Sequence, residues 1–236
     1  MQIAHHEKWV KTRTQKILNI FGEDWFAGKK ILELAACHGD VGIELSKLGS
    51  VVTFSDARLS NVQSIQSKLN SVIGIKYYTR IINQEEKYYF NEPFDLTIHM
   101  GVLYHLENWK QDLECAINCS KLMILESLVK PFDGQEEVMT IQAAEPIKKY
   151  HGLTDKLLLF SQQSVEAVLK RNNCSFIRFD NEQLDSLGWD SNLLKHTYSW
   201  KEFDSKDKAV YNYFLNGEEV SIHHRRFWLV INNNLI

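Results

Sequence analysis

From Lys29 to Val129 short apolar runs give way repeatedly to amphipathic stretches, and this rhythm restricts the fold more than any other feature of the chain. The runs "KILELA", "SVVTFSD", "GIKYYTRII", "FDLTIHM" and "KLMILESLV" have the length and apolar character of strands. Interleaved with them, "VGIELSKLG", "LSNVQSIQSKL" and "ENWKQDLECAINC" repeat their apolar residues at helical spacing. Strands joined through helices pair in parallel, and the crossovers cover both faces of the sheet. The rhythm loosens after Val129 and resumes with a helix in "SQQSVEAVLKRN" and strands in "SFIRFD" and "RRFWLVI". A leading helix in "HEKWVKTRTQKILNIFG" stops at Gly22, outside the alternating core. The expected architecture is one α/β domain spanning residues 1–236.

The first strand breaks at "KILELAACHGDVG" into a tight turn that opens a helix, and such a turn offers free backbone N–H groups to a ligand. Cys37-x-Gly39-x-x-Gly42 is a dinucleotide fingerprint without its first glycine, and Asp56 lies near the distance of a ribose-binding acid. On these letters alone, NAD is one candidate ligand. A dinucleotide, however, brings its pyrophosphate against the turn and uses the glycines for close approach. A ligand without phosphate tolerates Ala and Cys there.

Hydrophobic residues make up 44% and charged residues 24% of the chain, ordinary for a globular protein, and no apolar run approaches the ~18 residues of a membrane span. The opening "MQIAHHEKWVKTR" has no apolar segment after a basic start, so the cytoplasm is the expected compartment. Cys37, Cys115, Cys119 and Cys174 are scattered and no clustered His completes a zinc site, so they are expected to be reduced, mostly buried residues, and no metal is expected. A net charge of −3, with "HHRR" as the one compact basic group, offers little to a polyanion.

Taken together, "ILELAACHGDVG", "TFSDAR", "FDLTIHMGVLYHL" and "LMILESLV" resemble class I S-adenosylmethionine-dependent methyltransferases along nearly the whole sheet. The resemblance implies a Rossmann-like sheet of seven mostly parallel strands, the last antiparallel, with S-adenosyl-L-methionine as cofactor. The segment "FDLTIHMGVLYHL" has no role in the dinucleotide fingerprint and decides against NAD. The family's first motif is an acid, then small residues ending in Gly, and here Glu33 to Gly39 supply it, with Ala35 and Cys37 where Gly is more usual. By resemblance Glu33 meets the ammonium of the methionine moiety, Asp56 holds the ribose hydroxyls, and Ala57 and Arg58 lie beside the adenine. Asn83 corresponds to a residue facing the adenine amine, while His99, Met100 and Gly101 pass their backbone along the methionine portion.

Methyl transfer from a sulfonium is an in-line displacement in which positioning dominates, and a hydroxyl or ammonium nucleophile also requires a base. His105, following the fourth strand at the carboxyl edge, is the candidate. The family's strand directions divide the chain into a helical lid (1–27), a cofactor-binding half (28–129), two substrate-cap insertions (130–160 and 181–224) and a final strand (225–232). Every segment outside the core then converges on the ligand edge. A covered pocket without basic surface favours a small-molecule or sugar-containing acceptor, with Tyr104, His196, Tyr198, His223 and Arg225 as candidate contacts. The prolines supply neither a Pro-Pro-aromatic loop after the fourth strand nor a Pro-Cys nucleophile, which argues against DNA bases. "VLYHL" and "LMILESLV" also resemble enzymes that alkylate transfer RNA, so an RNA-modifying enzyme is the alternative, beside a non-catalytic S-adenosylmethionine-binding protein.

Overall fold

A computed structural model describes residues 2–72, 74–129, 139–142, 156–179, 212–215, 218–221 and 225–236. Helix α1 (Gln2–Phe21) leads into strand β1 (Lys30–Glu33), followed by α2 (Asp40–Lys47), β2 (Val51–Asp56), α3 (Leu59–Leu69) and β3 (Tyr77–Ile81). Then come β4 (Phe94–Met100), α4 (Trp109–Cys119), β5 (Ser120–Leu128), β6 (Met139–Gln142) and β7 (Lys156–Leu159). Helix α5 (Gln162–Arg171), β8 (Cys174–Phe179), β9 (Asn212–Leu215), β10 (Glu218–Ser221) and β11 (Arg225–Asn232) complete the order.

Seven strands form one sheet in the order β3-β2-β1-β4-β5-β11-β8. All pairings from β3 to β5 are parallel, and β11 enters antiparallel between β5 and β8. This is the mostly parallel sheet with an antiparallel last strand that the sequence led us to expect. Strand alternation sends successive side chains to opposite faces. Ile31, Phe54, Ile98, Ile124 and Phe227 pack with Ile17 of α1, Leu45 of α2 and Ile65 of α3 on one face. Leu32, Met123, Leu125 and Trp228 pack with Leu113 and Ile117 of α4 and Val168 of α5 on the other. Each of the two insertions holds an antiparallel pair, β6 with β7 and β9 with β10. Among the described residues no helix is long and apolar enough to cross a membrane.

The parallel half reverses its strand order between β1 and β4, so the loops leaving these two strands diverge and open a crevice at the carboxyl edge. Gly42 lets α2 sit close against that edge, since a Cβ there would lie 2.4 Å from Glu33 Oε2 and 2.5 Å from the Phe54 ring. In return the Gly42 N–H donates to Glu33 Oε2 at 3.0 Å.

Candidate active site

The crevice holds a cavity of about 200 Å³. Its walls come from the turn after β1 (Ala35, Cys37), the end of β2 (Asp56, Ala57, Arg58), the loop after β3 (Asn83, Gln84, Glu85) and the loop after β4 (Met100 to Val102, His105, Leu106), with Arg13 of α1 across the opening. A smaller cavity continues from it between Glu33, Cys37, His38, Asp40 and Arg13.

The turn after β1 is held open by its backbone. Ala35 and Cys37 adopt left-handed φ angles of 48° and 53°, a conformation that L side chains resist, which accounts for the preference for Gly at such positions. Two anchors fix the turn: Ala36 N donates to Ser55 O at 2.8 Å, and Cys37 N donates to Asp56 Oδ2 at 2.9 Å. Asp56 Oδ1 meanwhile accepts from Arg58 N at 2.9 Å. Each carboxylate oxygen thus holds one backbone donor and keeps a second lone pair for a ligand.

Glu33 is buried beneath the turn. Burial pushes its carboxyl up to about 8, against the opposing pull of the Gly42 N–H. Above this floor, Arg13 Nη2 bonds Glu126 Oε2 at 2.7 Å, and fully buried Glu126 also takes Nη1 of Arg225. Gly101 admits the Arg13 guanidinium, because a Cβ at that position would stand 2.5 Å from Nη2.

Asp56, Ala57, Asn83, Gly101, Ala35 and His105 are brought together in the main cavity, and Glu33 reaches the smaller one. Other candidates lie elsewhere. Gly39 caps α2 with φ 69° and faces Ile65 and Phe54. The His99 side chain is fully buried, with Nε2 on Asp112 Oδ2 at 2.7 Å, because its position on β4 faces α4. Its Nδ1 has no hydrogen-bond partner among the described residues. Tyr104 and Arg225, expected at the acceptor, are packed together: Arg225 Nη2 donates to Tyr104 Oη at 3.3 Å, and neither lines the cavity. Arg225 is drawn inward because β11 pairs it with Leu128 inside the sheet, within reach of Glu126. His196, Tyr198 and His223 lie outside the described residues.

Of the cysteines, expected to be mostly buried, Cys119 and Cys174 are buried and Cys115 is half-buried, while Cys37 is exposed and lines both cavities. Sequence reasoning missed Arg13, Gln84, Glu85 and Glu126. For Glu85 a local signal existed, since an acid shortly after β3 can cap the next crossover: its carboxylate accepts from Glu107 N and Asn108 N at 2.8 and 2.9 Å. Arg13 carried no signal, because only tertiary packing brings α1 over β4 and β5.

No protein-family model matches the sequence, and no curated protein does. Solved structures match through the fold. The N-terminal domain of EvdMO1, crystallised in the presence of S-adenosylhomocysteine and D-fucose, superposes with a TM-score of 0.63 at 15% identity, over 93% of this chain and 81% of that one. Magnesium protoporphyrin IX methyltransferase from Synechocystis PCC 6803, with bound S-adenosylmethionine, gives 0.57 at 12% identity over 98% and 81%. An S-adenosylmethionine-dependent methyltransferase from Clostridium acetobutylicum ATCC 824 gives 0.58 at 14% identity over 95% and 91%. By strand order, sheet direction and superposition, this chain has the fold of the class I S-adenosylmethionine-dependent methyltransferases.

Proposed function

We propose that the protein is an S-adenosylmethionine-dependent methyltransferase acting on a small-molecule or sugar-containing acceptor. The observation that carries this reading is the cavity at the strand-order reversal, with the Asp56 carboxylate on its wall. The residues present suit the cofactor. Asp56 keeps lone pairs for a pair of hydroxyls, while Ala57, Val102 and Leu106 offer apolar surface to a purine. Glu33 and Arg13, at the smaller cavity, supply a carboxyl and a guanidinium for the ammonium and carboxylate ends of an amino acid. Bound there, S-adenosylmethionine supplies a methyl group on a sulfonium, open to in-line displacement.

His105 lies on the turn after β4, where Leu103–His105 form one helical turn and His105 N donates to Val102 O at 2.8 Å. Its ring packs against Tyr104 with centroids 4.3 Å apart. In this reading it takes the acceptor's proton from the cavity wall. Residues 1–27 serve as a lid, with Arg13 as its contact to the site, and 130–160 and 181–224 shape the acceptor pocket. EvdMO1 was crystallised in the presence of a sugar and the Synechocystis enzyme is named for a porphyrin, which supports a small-molecule acceptor on this fold.

The test combines binding with turnover. Calorimetry is expected to show S-adenosylhomocysteine binding and no NAD binding; methyl-labelled cofactor is expected to label the small-molecule fraction of a cell extract. His105→Ala should lower kcat by about 10²-fold or more and leave S-adenosylhomocysteine affinity nearly unchanged. Label entering the RNA fraction supports the alkyltransferase alternative instead, and cofactor binding without labelling supports a non-catalytic protein.

A further inference from the structure

Strand β3 ends the seven-stranded sheet, with β2 on one side and, among the described residues, no strand on the other. Its register with β2 settles where its backbone points. Ile82 N donates to Asp56 O at 3.1 Å, so Arg80 and Tyr78, in step with Ile82, turn their N–H and C=O groups toward β2. Tyr77, Thr79 and Ile81 turn theirs outward, and among the described residues no hydrogen bond meets these outward backbone groups.

Natural sheets blunt such edges with Pro, Lys or a bulge. Strand β3 has none of these: it reads Tyr-Tyr-Thr-Arg-Ile in unbroken register with β2. Exposed apolar surface collects at the same place. Tyr78, Ile81 and Tyr89 of the following loop are half of the large apolar side chains exposed among the described residues.

The strand is complementary to itself. Two copies paired antiparallel about a twofold axis at Thr79 place Thr79 opposite Thr79, Tyr77 opposite Ile81 and Tyr78 opposite Arg80. Tyr77, Thr79 and Ile81 then meet as hydrogen-bonded pairs, so every outward N–H and C=O of both strands is satisfied. Tyr78 and Arg80 meet as a non-hydrogen-bonded pair, where side chains lie closest, and a guanidinium against a phenol ring is an attractive contact. Arg80 already lies over the Phe90 ring, 4.8 Å from its centroid. Neighbouring registers bring like charges together: an axis at Tyr78 sets Arg80 against Lys76, and an axis at Arg80 sets Arg80 against itself. Charge complementarity thus selects Thr79 as the centre and a second copy as the occupant.

We infer that the free edge of β3 is the interface of a homodimer, in which two copies pair antiparallel about Thr79 and join their sheets into one. Because the strands run antiparallel, the two crevices open at opposite edges of the joined sheet. None of Tyr77 to Ile81 lines the main cavity, so the interface stands apart from the cofactor reading.

Sedimentation equilibrium on the full chain over a concentration series tests this. The wild-type protein is expected to approach twice the mass of one chain. Thr79→Pro removes an outward N–H and leaves the ladder to β2 intact, so it is expected to weaken dimerisation at least about tenfold. In a Cys37→Ser background, which removes the exposed thiol, the double variant Tyr78→Cys, Arg80→Cys is expected to form a disulfide-linked dimer on mild oxidation. A non-hydrogen-bonded pair holds its Cα atoms about 4.5 Å apart, within disulfide reach, whereas either single variant is expected to link far less. Monomers at every concentration would overturn the proposal and leave the edge to a strand from another protein. Undiminished dimerisation of a folded Thr79→Pro protein, or single variants that link as readily as the double one, would also overturn it. The cross-linking pattern decides by itself if Thr79→Pro does not fold.

Discussion

Glu33 is the residue at which local chemistry and global stability are most directly opposed. Its carboxyl has an ordinary value of 4.5 and is raised to about 8 by burial, so the folded state binds a proton that the unfolded state releases. The contribution to stability is therefore full below about 4.5, declines as the pH rises between the two values, and levels off above 8. A shift of this size corresponds to at most roughly 4–5 kcal/mol at 1.36 kcal/mol per unit. Glu33→Gln keeps an oxygen for the Gly42 N–H and removes the titration. Urea unfolding of the ligand-free protein at pH 5 and pH 8.5 is expected to show the wild type losing several kcal/mol more than Glu33→Gln across that interval. Parallel losses in the two proteins would show that Glu33 ionises without cost. The same burial explains why the acid could be read from the sequence but its protonation could not: the letters place Glu33 at a strand end, and only the packing of α2 at Gly42 removes the water.

At the scale of elements, β5, β11 and α1 are joined through a single carboxylate. Glu126 of β5 receives Arg13 from α1 and Arg225 from β11, and Arg225 continues to Tyr104 on the turn after β4. The two arginines differ in their exposure, 21% for the side chain of Arg13 and 8% for that of Arg225. Removing the shared acid strands a buried guanidinium, whereas removing Arg13 leaves a paired Arg225–Glu126 couple. Glu126→Leu is accordingly expected to cost about 3–5 kcal/mol of stability, and Arg13→Met clearly less. Denaturant midpoints of the two variants check the ranking, and an equal loss would mean that Arg13 is as deeply committed as Arg225. Tyr104 and Arg225 were expected at the acceptor on the strength of their polar tips, but that chemistry is equally suited to tying a loop to a sheet. Residue type alone does not distinguish the two uses.

On the scale of the whole molecule, the main cavity is lined from the ends of β1 to β4 and by Arg13 of α1, while 181–224 lies in the connection from β8 to β11. In the proposed reading that connection forms the acceptor pocket. Replacing 181–224 by a short loop is then expected to leave S-adenosylhomocysteine affinity within about threefold of wild type and to abolish methyl transfer to the acceptor identified by labelling. A folded, shortened protein with the original kcat/KM would assign the acceptor to another part of the chain. The helices and strands of the sheet were legible in the sequence because apolar periodicity is set locally: "FDLTIHM" and "LSNVQSIQSKL" coincide with β4 and α3 residue for residue. That Asp56 and Gly101 come to the cavity wall was legible for a related reason, since a strand's end fixes where the following residue emerges. The partners that complete the site were not. Arg13 and Glu126 are 113 positions apart, and Gln84 acquires its orientation from Asp112, 28 positions away on another element. Periodicity reports which face of an element is apolar, and so the sequence by itself determined the sheet, its helices and the edge at which the cavity opens. Which buried charges meet and which polar residues line the cavity depend on distances between elements, and those only the tertiary structure decided.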